Sequence, residues 1–263
     1  MNILKTELKR ALFSKFFLNS IIIGFLSQIL ASFFMTKNVL IEYFHGGVGY
    51  EALDNMLSPA ALWYFSTSIY VFIIPLIACI PHTLSFINDK ESGFIIFIKN
   101  RVSFKGYINA KICSCFISGF LSVFISSFIF FVLISLSPYT DPTHGIQAVG
   151  FLSNIFLTHQ KIYLIIYIFI CSLMGGAYAL IALALSTKFN NLLVVLITPT
   201  IYYYAATYVF GILGLTALQP ATVNQYFRIF TITNLLPILG QLIFYTLLCI
   251  FIIKKMARSL QYD

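Results

Sequence analysis

The chain has 263 residues, 60% apolar, 17% aromatic and 9% charged, with 16 Lys and Arg against 8 Asp and Glu for a formal net charge of +8. Soluble domains carry about 25% charged residues and the mean hydropathy here is +0.93, which speaks against an ordinary globular enzyme; 14 Gly and 8 Pro spread through the chain exclude a collagenous or Pro/Gly-rich disordered protein. What remains is an all-α polytopic membrane protein, and no nucleic-acid partner is expected unless the bases gather on one solvated face.

Residues 2–15 come first. Leu4, Leu8, Ala11 and Leu12 recur at helical spacing while Lys5 and Lys9 flank the stripe. This predicts an N-terminal interfacial helix, 1–15, with its lysines reaching lipid headgroups, or else a basic topogenic leader. Stretches without Asp, Glu, Lys or Arg follow at 16–36, 55–88, 112–140, 162–187, 189–227 and 229–253. A spanning helix needs roughly 20 apolar residues, so trimming for loops predicts six transmembrane helices near 16–36, 62–86, 111–136, 162–186, 192–214 and 235–253. The first is too long for a signal-peptide core of about 7–15 residues and no A-x-A site follows it, so it is expected to be a true span. Continuous apolar runs without alternation disfavour a β-barrel.

Loops assigned alternately place Lys37, Lys161 and Arg228 on one side and the remaining thirteen of the 16 bases on the other. The positive-inside rule then predicts that both termini are cytoplasmic in a multi-pass cell-membrane protein. The external loops, about 37–61 and 137–161, are too short for a separate binding domain.

The most charged cytoplasmic segment is 88–110, NDKESGFIIFIKNRVSFKGYINA. An apolar run, Phe94–Ile98, lies between Asp89, Lys90 and Glu91 on one side and Lys99 and Arg101 on the other. At helical spacing Phe94, Phe97 and Ile98 share a face, predicting an amphipathic helix that is too short to span. Such a helix either rests on lipid or enters a partner's groove.

The spans themselves carry little chemistry. No Asp, Glu, Lys or Arg occupies the centre of any span, where ion-coupled carriers place them. His45, His144 and His159 fall in outside loops and His82 near the cytoplasmic end of span two; all four read as interfacial or loop histidines. No His-Glu-x-x-His pair occurs, and no G-x-x-x-x-G-K-[ST] phosphate cradle. Cys79, Cys113, Cys115, Cys171 and Cys249 are an odd set in apolar surroundings, expected to pack rather than to bridge or bind metal. Tyr163, Tyr167, Tyr178, Tyr202, Tyr203, Tyr204 and Tyr208 are expected to serve chiefly as an interfacial belt, with stacking on a substrate as the other possibility. Ser172, Gly175, Gly176 and Ala179 permit close helix contact, as packing or as a dimer seam.

The segment 88–110 resembles the cytoplasmic signature of type 2 ABC exporter permeases. Its parts occur in the family's order: the cluster Asp89-Lys90-Glu91, Gly93, the apolar run Phe94–Ile98, Val102-Ser103, and Lys111 opening the next span. Phe94 stands where Thr is common, and Arg101 where a Pro usually precedes the Val. The six-span arrangement with an interfacial first helix is similar as well, and 215–237, with Gln219, Asn224, Gln225, Arg228, Pro220 and Pro237, matches the place of the family's external re-entrant hairpin. The resemblance implies a permease subunit that pairs with a second permease chain and docks two separate ABC ATPase subunits. Hydrolysis would then occur in the partner, with ATP bound there and no cofactor in this chain. It implies a coupling helix at about Asp89–Lys99, with Asp89, Lys90, Glu91, Gly93, Phe94, Phe97, Ile98, Lys99 and Arg101 meeting the ATPase. An uncharged interior then suits export of an amphipathic or lipid-like solute such as a peptide antibiotic. The rival expectation is a non-transport membrane assembly or immunity factor that binds a partner or toxin in the bilayer.

Overall fold

Helix boundaries in this chain are set by capping residues and glycines more than by the ends of the apolar runs. A computed structural model describes residues 3–47, 49–101, 103–137, 153–221 and 236–262. Helix α1, Ile3–Leu12, is followed after Phe13 and Ser14 by α2, Lys15–Phe44. Ser14 makes the joint: its hydroxyl donates to the Ala11 carbonyl at 2.9 Å and accepts from the Phe17 amide at 3.1 Å, so it closes one helix and caps the next. The short α3, Tyr50–Leu57, leads into α4, Pro59–Cys79, which opens with Ser58 as cap and proline at its first position. Then come α5, Thr83–Glu91, α6, Phe94–Arg101, and α7, Phe104–Ser135. Another short helix, α8, Ser153–Thr158, precedes α9, Gln160–Ser186. Asn191 caps α10, Leu192–Ile212, by accepting from the amides of Leu193 and Val194 at 3.0 and 3.4 Å. A 3-10 turn, Thr216–Leu218, and α11, Leu236–Tyr262, complete the described elements.

Among the described residues six helical segments are long and apolar enough to cross a membrane, and every regular element is helical. The chain therefore has an all-α polytopic membrane fold. Its long helices overrun the expected spans. Helix α2 continues past Lys37 and Glu42 to Phe44, and α7 starts at Phe104 with Lys105 and Lys111 on it. Charges end a hydrocarbon crossing but not a helix, whose backbone bonds are satisfied internally on either side of the interface. The second expected span, 62–86, is divided: α4 stops at Cys79, Ile80–His82 form a turn, and α5 continues to Glu91. The expected external segment 215–237 starts with the 3-10 turn, while its residues 222–235 lie outside the described residues, as do 138–152 of the external loop at 137–161.

The core lies between α2, α4, α7 and α9. Helices α7 and α9 meet almost backbone to backbone: a Cβ added at Gly119 would stand 2.6 Å from the Ala179 Cβ and 3.2 Å from the Gly175 carbonyl, and one at Gly175 would stand 2.8 Å from Val123 Cγ2. Gly175, Gly176 and Ala179 thus serve a seam inside one chain. Hydroxyls mostly bond back into their own helices, as with Ser118 to Cys115 and Ser172 to Ile168. A few tie neighbours together: Ser32 donates to the Leu62 carbonyl at 3.2 Å, and the Tyr70 hydroxyl meets those of Ser126 and Ser127 at 2.9 and 3.0 Å.

The tyrosines divide. Tyr163, Tyr167, Tyr178 and Tyr203 are core residues, whereas Tyr204 and Tyr208 face outward, so the expected interfacial belt is at most partial. Phe72 stacks on Tyr204 with ring centroids 5.3 Å apart. Cys113 is exposed and the other four cysteines are buried, all as free thiols.

Candidate functional site

The end of the bundle that carries α1, α5, α6 and the start of α7 holds the ion pairs found among the described residues. Its centre is a closed ring of four charges. Arg10, on α1, donates from Nη1 to Glu7 Oε1 and from Nη2 to Asp89 Oδ1, both at 2.9 Å. Lys111, on α7, donates to Glu7 Oε2 at 2.9 Å and to Asp89 Oδ2 at 2.7 Å. Each base therefore bridges both carboxylates, and each carboxylate binds both bases. Tyr107 donates its hydroxyl to Asp89 Oδ2 at 2.7 Å, and His82 Nε2 donates to Glu7 Oε2 at 3.2 Å.

Burial makes this balance necessary. Glu7 and Asp89 are each 3% exposed and Lys111 is 1% exposed, and an unpaired charge at such a place costs several kcal/mol. Two acids stand against two bases, so the ring is balanced. Burial alone would push the Glu7 carboxyl up, but hydrogen bonds from His82 and Lys111 and the charges of Lys111 and Arg10 outweigh it, holding the group at about 2. Burial would likewise lower the Arg10 guanidinium, and its bonds to Asp89 and Glu7 raise it instead.

Helix α6 sits directly beside this ring. Gly93 has φ +68, a left-handed conformation suited to glycine, and its amide donates to the Lys90 carbonyl at 3.2 Å. The chain thereby turns out of α5 and starts α6. Ile95 is buried in a cluster with Phe86, Phe104 and Tyr107. The Arg10 guanidinium lies over the Phe94 ring, 5.6 Å from its centroid. Ile96 and Phe97 are each 65% exposed.

The expected coupling residues thus fall into separate roles. Asp89 lies inside the ring rather than on a docking surface. The Lys90 ammonium donates to the carbonyls of Ser186 and Thr187 at 3.1 and 3.3 Å, satisfying the C-terminal end of α9. Glu91 and Phe97 are exposed, Phe94 is partly covered by Arg10, and Ile98 packs on the cluster below α6. The side chains of Lys99 and Arg101 lie outside the described residues. The expected single helix at about Asp89–Lys99 is corrected to two, because Gly93 breaks it. Of the expected face Phe94, Phe97 and Ile98, Phe94 and Phe97 are exposed together with Ile96, whereas Ile98 is half-buried and Ile95 is the inward residue.

Sequence reasoning missed Glu7, Arg10, His82 and Tyr107 and read Lys111 only as a span marker. His82 stands in the turn at the end of span two, as expected of its position, but is buried and bonded to Glu7. On α1 the inward residues are Glu7 and Ala11; of the expected stripe Ala11 is buried, Leu8 and Leu12 are half-buried and Leu4 is exposed. One signal was available: Glu7 is the single acid among the leader's four bases, and Asp89 and Lys111 each border an apolar run, where a charge needs a partner. Among the described residues no group of three or more His, Cys, Asp or Glu is placed to hold a metal ion.

The fold and this polar end define a multi-pass helical membrane protein with a charge-balanced ring at one end and a short helix beside it that exposes apolar side chains. Comparison with protein-family models and with curated proteins returned no match.

Proposed function

We propose that the chain is the membrane-spanning permease subunit of an ATP-driven ABC exporter, working with separate ATPase subunits and a second permease chain. The observation that carries this reading is α6. It is too short to span, lies at the end of the bundle where the bases concentrate, and is anchored by Ile95 while presenting Ile96 and Phe97 outward. A rigidly mounted helix with an apolar outward pair suits a groove on a soluble partner. The resemblance of 88–110 to the permease signature supplies that partner's class. By the distribution of bases this end faces the cytoplasm, where ATP is available. ATP-driven closure of the ATPase pair would push on α6 and shift a two-state equilibrium of the spans. No Asp, Glu, Lys or Arg stands at the centre of a long helix, which favours an amphipathic or lipid-like solute such as a peptide antibiotic.

Coexpression with a candidate ABC ATPase tests the proposal. Replacing Ile96 and Phe97 together by Asp is expected to abolish copurification and stimulation of ATP hydrolysis while leaving membrane insertion intact. Gly93→Pro is expected to uncouple as well, because proline is locked near φ −65° where the chain requires +68. Complex formation that does not need residues 88–101 would overturn the assignment and favour the assembly or immunity factor.

A further inference from the structure

We propose that the ring formed by Glu7, Arg10, Asp89 and Lys111 is a mechanical coupler that ties the position of α6 to α1 and, through α1, to the first span. That α6 receives a push from an ATPase rests on the permease reading; the linkage between α6 and α1 does not.

The geometry supplies the path. Helix α6 is seated by Ile95 and Ile98 on the cluster below it and meets α1 through Phe94. Phe94 lies under the Arg10 guanidinium. Ile95 shares a buried cluster with Tyr107, whose hydroxyl is bonded to Asp89. A displacement of α6 is thereby passed to Arg10 through Phe94 and to the cluster that holds Tyr107 through Ile95. A shift of Arg10 acts on both carboxylates at once, because Arg10 is bonded to both and Lys111 is bonded to the same two.

The ring also joins three separate parts of the chain: Glu7 and Arg10 come from α1, Asp89 from α5 and Lys111 from α7. Glu7, Asp89 and Lys111 are buried and each keeps one partner when the other is lost, so removing a whole member of the ring, rather than opening a single bond, is what leaves a buried charge without balance. Helix α1 then passes the motion on. The Ser14 bonds to Ala11 and Phe17 make the joint with α2 short and internally bonded, so a tilt of α1 turns the start of α2. A leader that served only to orient the chain would need neither an acid in its inward face nor a bonded joint.

Hydrogen–deuterium exchange on the full chain in lipid nanodiscs reads α1 separately from α6. Phe94→Ala is expected to speed exchange of the α1 amides about tenfold, although Phe94 lies 80 or more residues away in sequence. In an Arg10→Met background the same change is expected to have no further effect on α1, since the link is already cut. Glu7→Gln is expected to speed α1 exchange about a hundredfold. The Glu7→Gln, Lys111→Met double variant, which restores balance around the remaining Arg10 and Asp89 pair, is expected to recover most of that loss. If Phe94→Ala leaves α1 unchanged, or its effect adds undiminished to that of Arg10→Met, the ring merely holds α1 and the coupling is overturned. A double variant as loose as Glu7→Gln would likewise overturn charge balance as its basis. No ATPase enters the experiment, so failure of α6 to bind one is a separate result that bears only on the permease reading.

Discussion

Helices α9 and α11 are both apolar enough to cross a membrane, yet the most apolar stretch of α9 is 67% buried within the protein and that of α11 only 22%. Side-chain size accounts for the contrast. Gly175, Gly176 and Ala179 let α7 approach α9 until only glycine fits, whereas α11 turns Ile243, Phe244, Leu247 and Phe251 outward. In water such a face would be a liability; in hydrocarbon it costs nothing, since lipid is as apolar as leucine. Burial in this protein therefore marks where shape or charge must be matched. Exposure of an aliphatic face marks where the bilayer is the solvent.

The charged ring is the extreme of the matched region, and breaking it should give the largest effect. Lys111→Met leaves two buried carboxylates with one cation and is expected to destabilise the fold by about 3–5 kcal/mol, read as a lower unfolding midpoint in lipid nanodiscs. Acid should reach the same place more gently. Glu7 is held at about 2 against an ordinary 4.5, so its contribution is complete above pH 4.5 and is lost as pH falls from there toward 2. The shift corresponds to about 3 kcal/mol. An unfolding midpoint that drops over this window in the wild type, and drops less in Glu7→Gln, is the expected pattern.

The seam comes next. Gly175→Leu must displace Val123 or push α7 away, an overpacking cost of about 1–3 kcal/mol, visible in the same unfolding assay. The flank should be nearly silent: Leu247→Ala on the outer face of α11 is expected to change stability by less than about 0.5 kcal/mol. A flank variant as damaging as the seam variant would show that a protein partner, not lipid, covers that face.

Some of this was legible before any packing was known. The apolar runs place all six long helices, because a run of that length has few other places to go. Their ends were less legible: α2 passes Lys37 and Glu42 and stops near Gly46, whose φ is +74, since a helix needs a backbone reason to end and not merely a charge. The turn at Ile80–His82 and the break at Gly93 were missed for the same reason. On α1 the apolar stripe gave no sign that Glu7 faces the core beside Ala11, because an acid reads as solvent-facing until its partners are known.

The candidate site was divided along the same line. That 88–110 carries the polar chemistry of its side of the membrane could be read from its charges; that Asp89 and Lys90 are spent inside the protein, while Ile96 and Phe97 face out, could not. By itself the amino-acid sequence determined the class, the number of long helices and the gathering of bases toward one side, because each follows from local transfer of side chains between water and hydrocarbon. Only the tertiary structure decided which charges are partners. Glu7, Arg10, Asp89 and Lys111 come from three helices up to 104 positions apart, and their pairing depends on how α1, α5 and α7 converge, a matter of packing that no local pattern encodes.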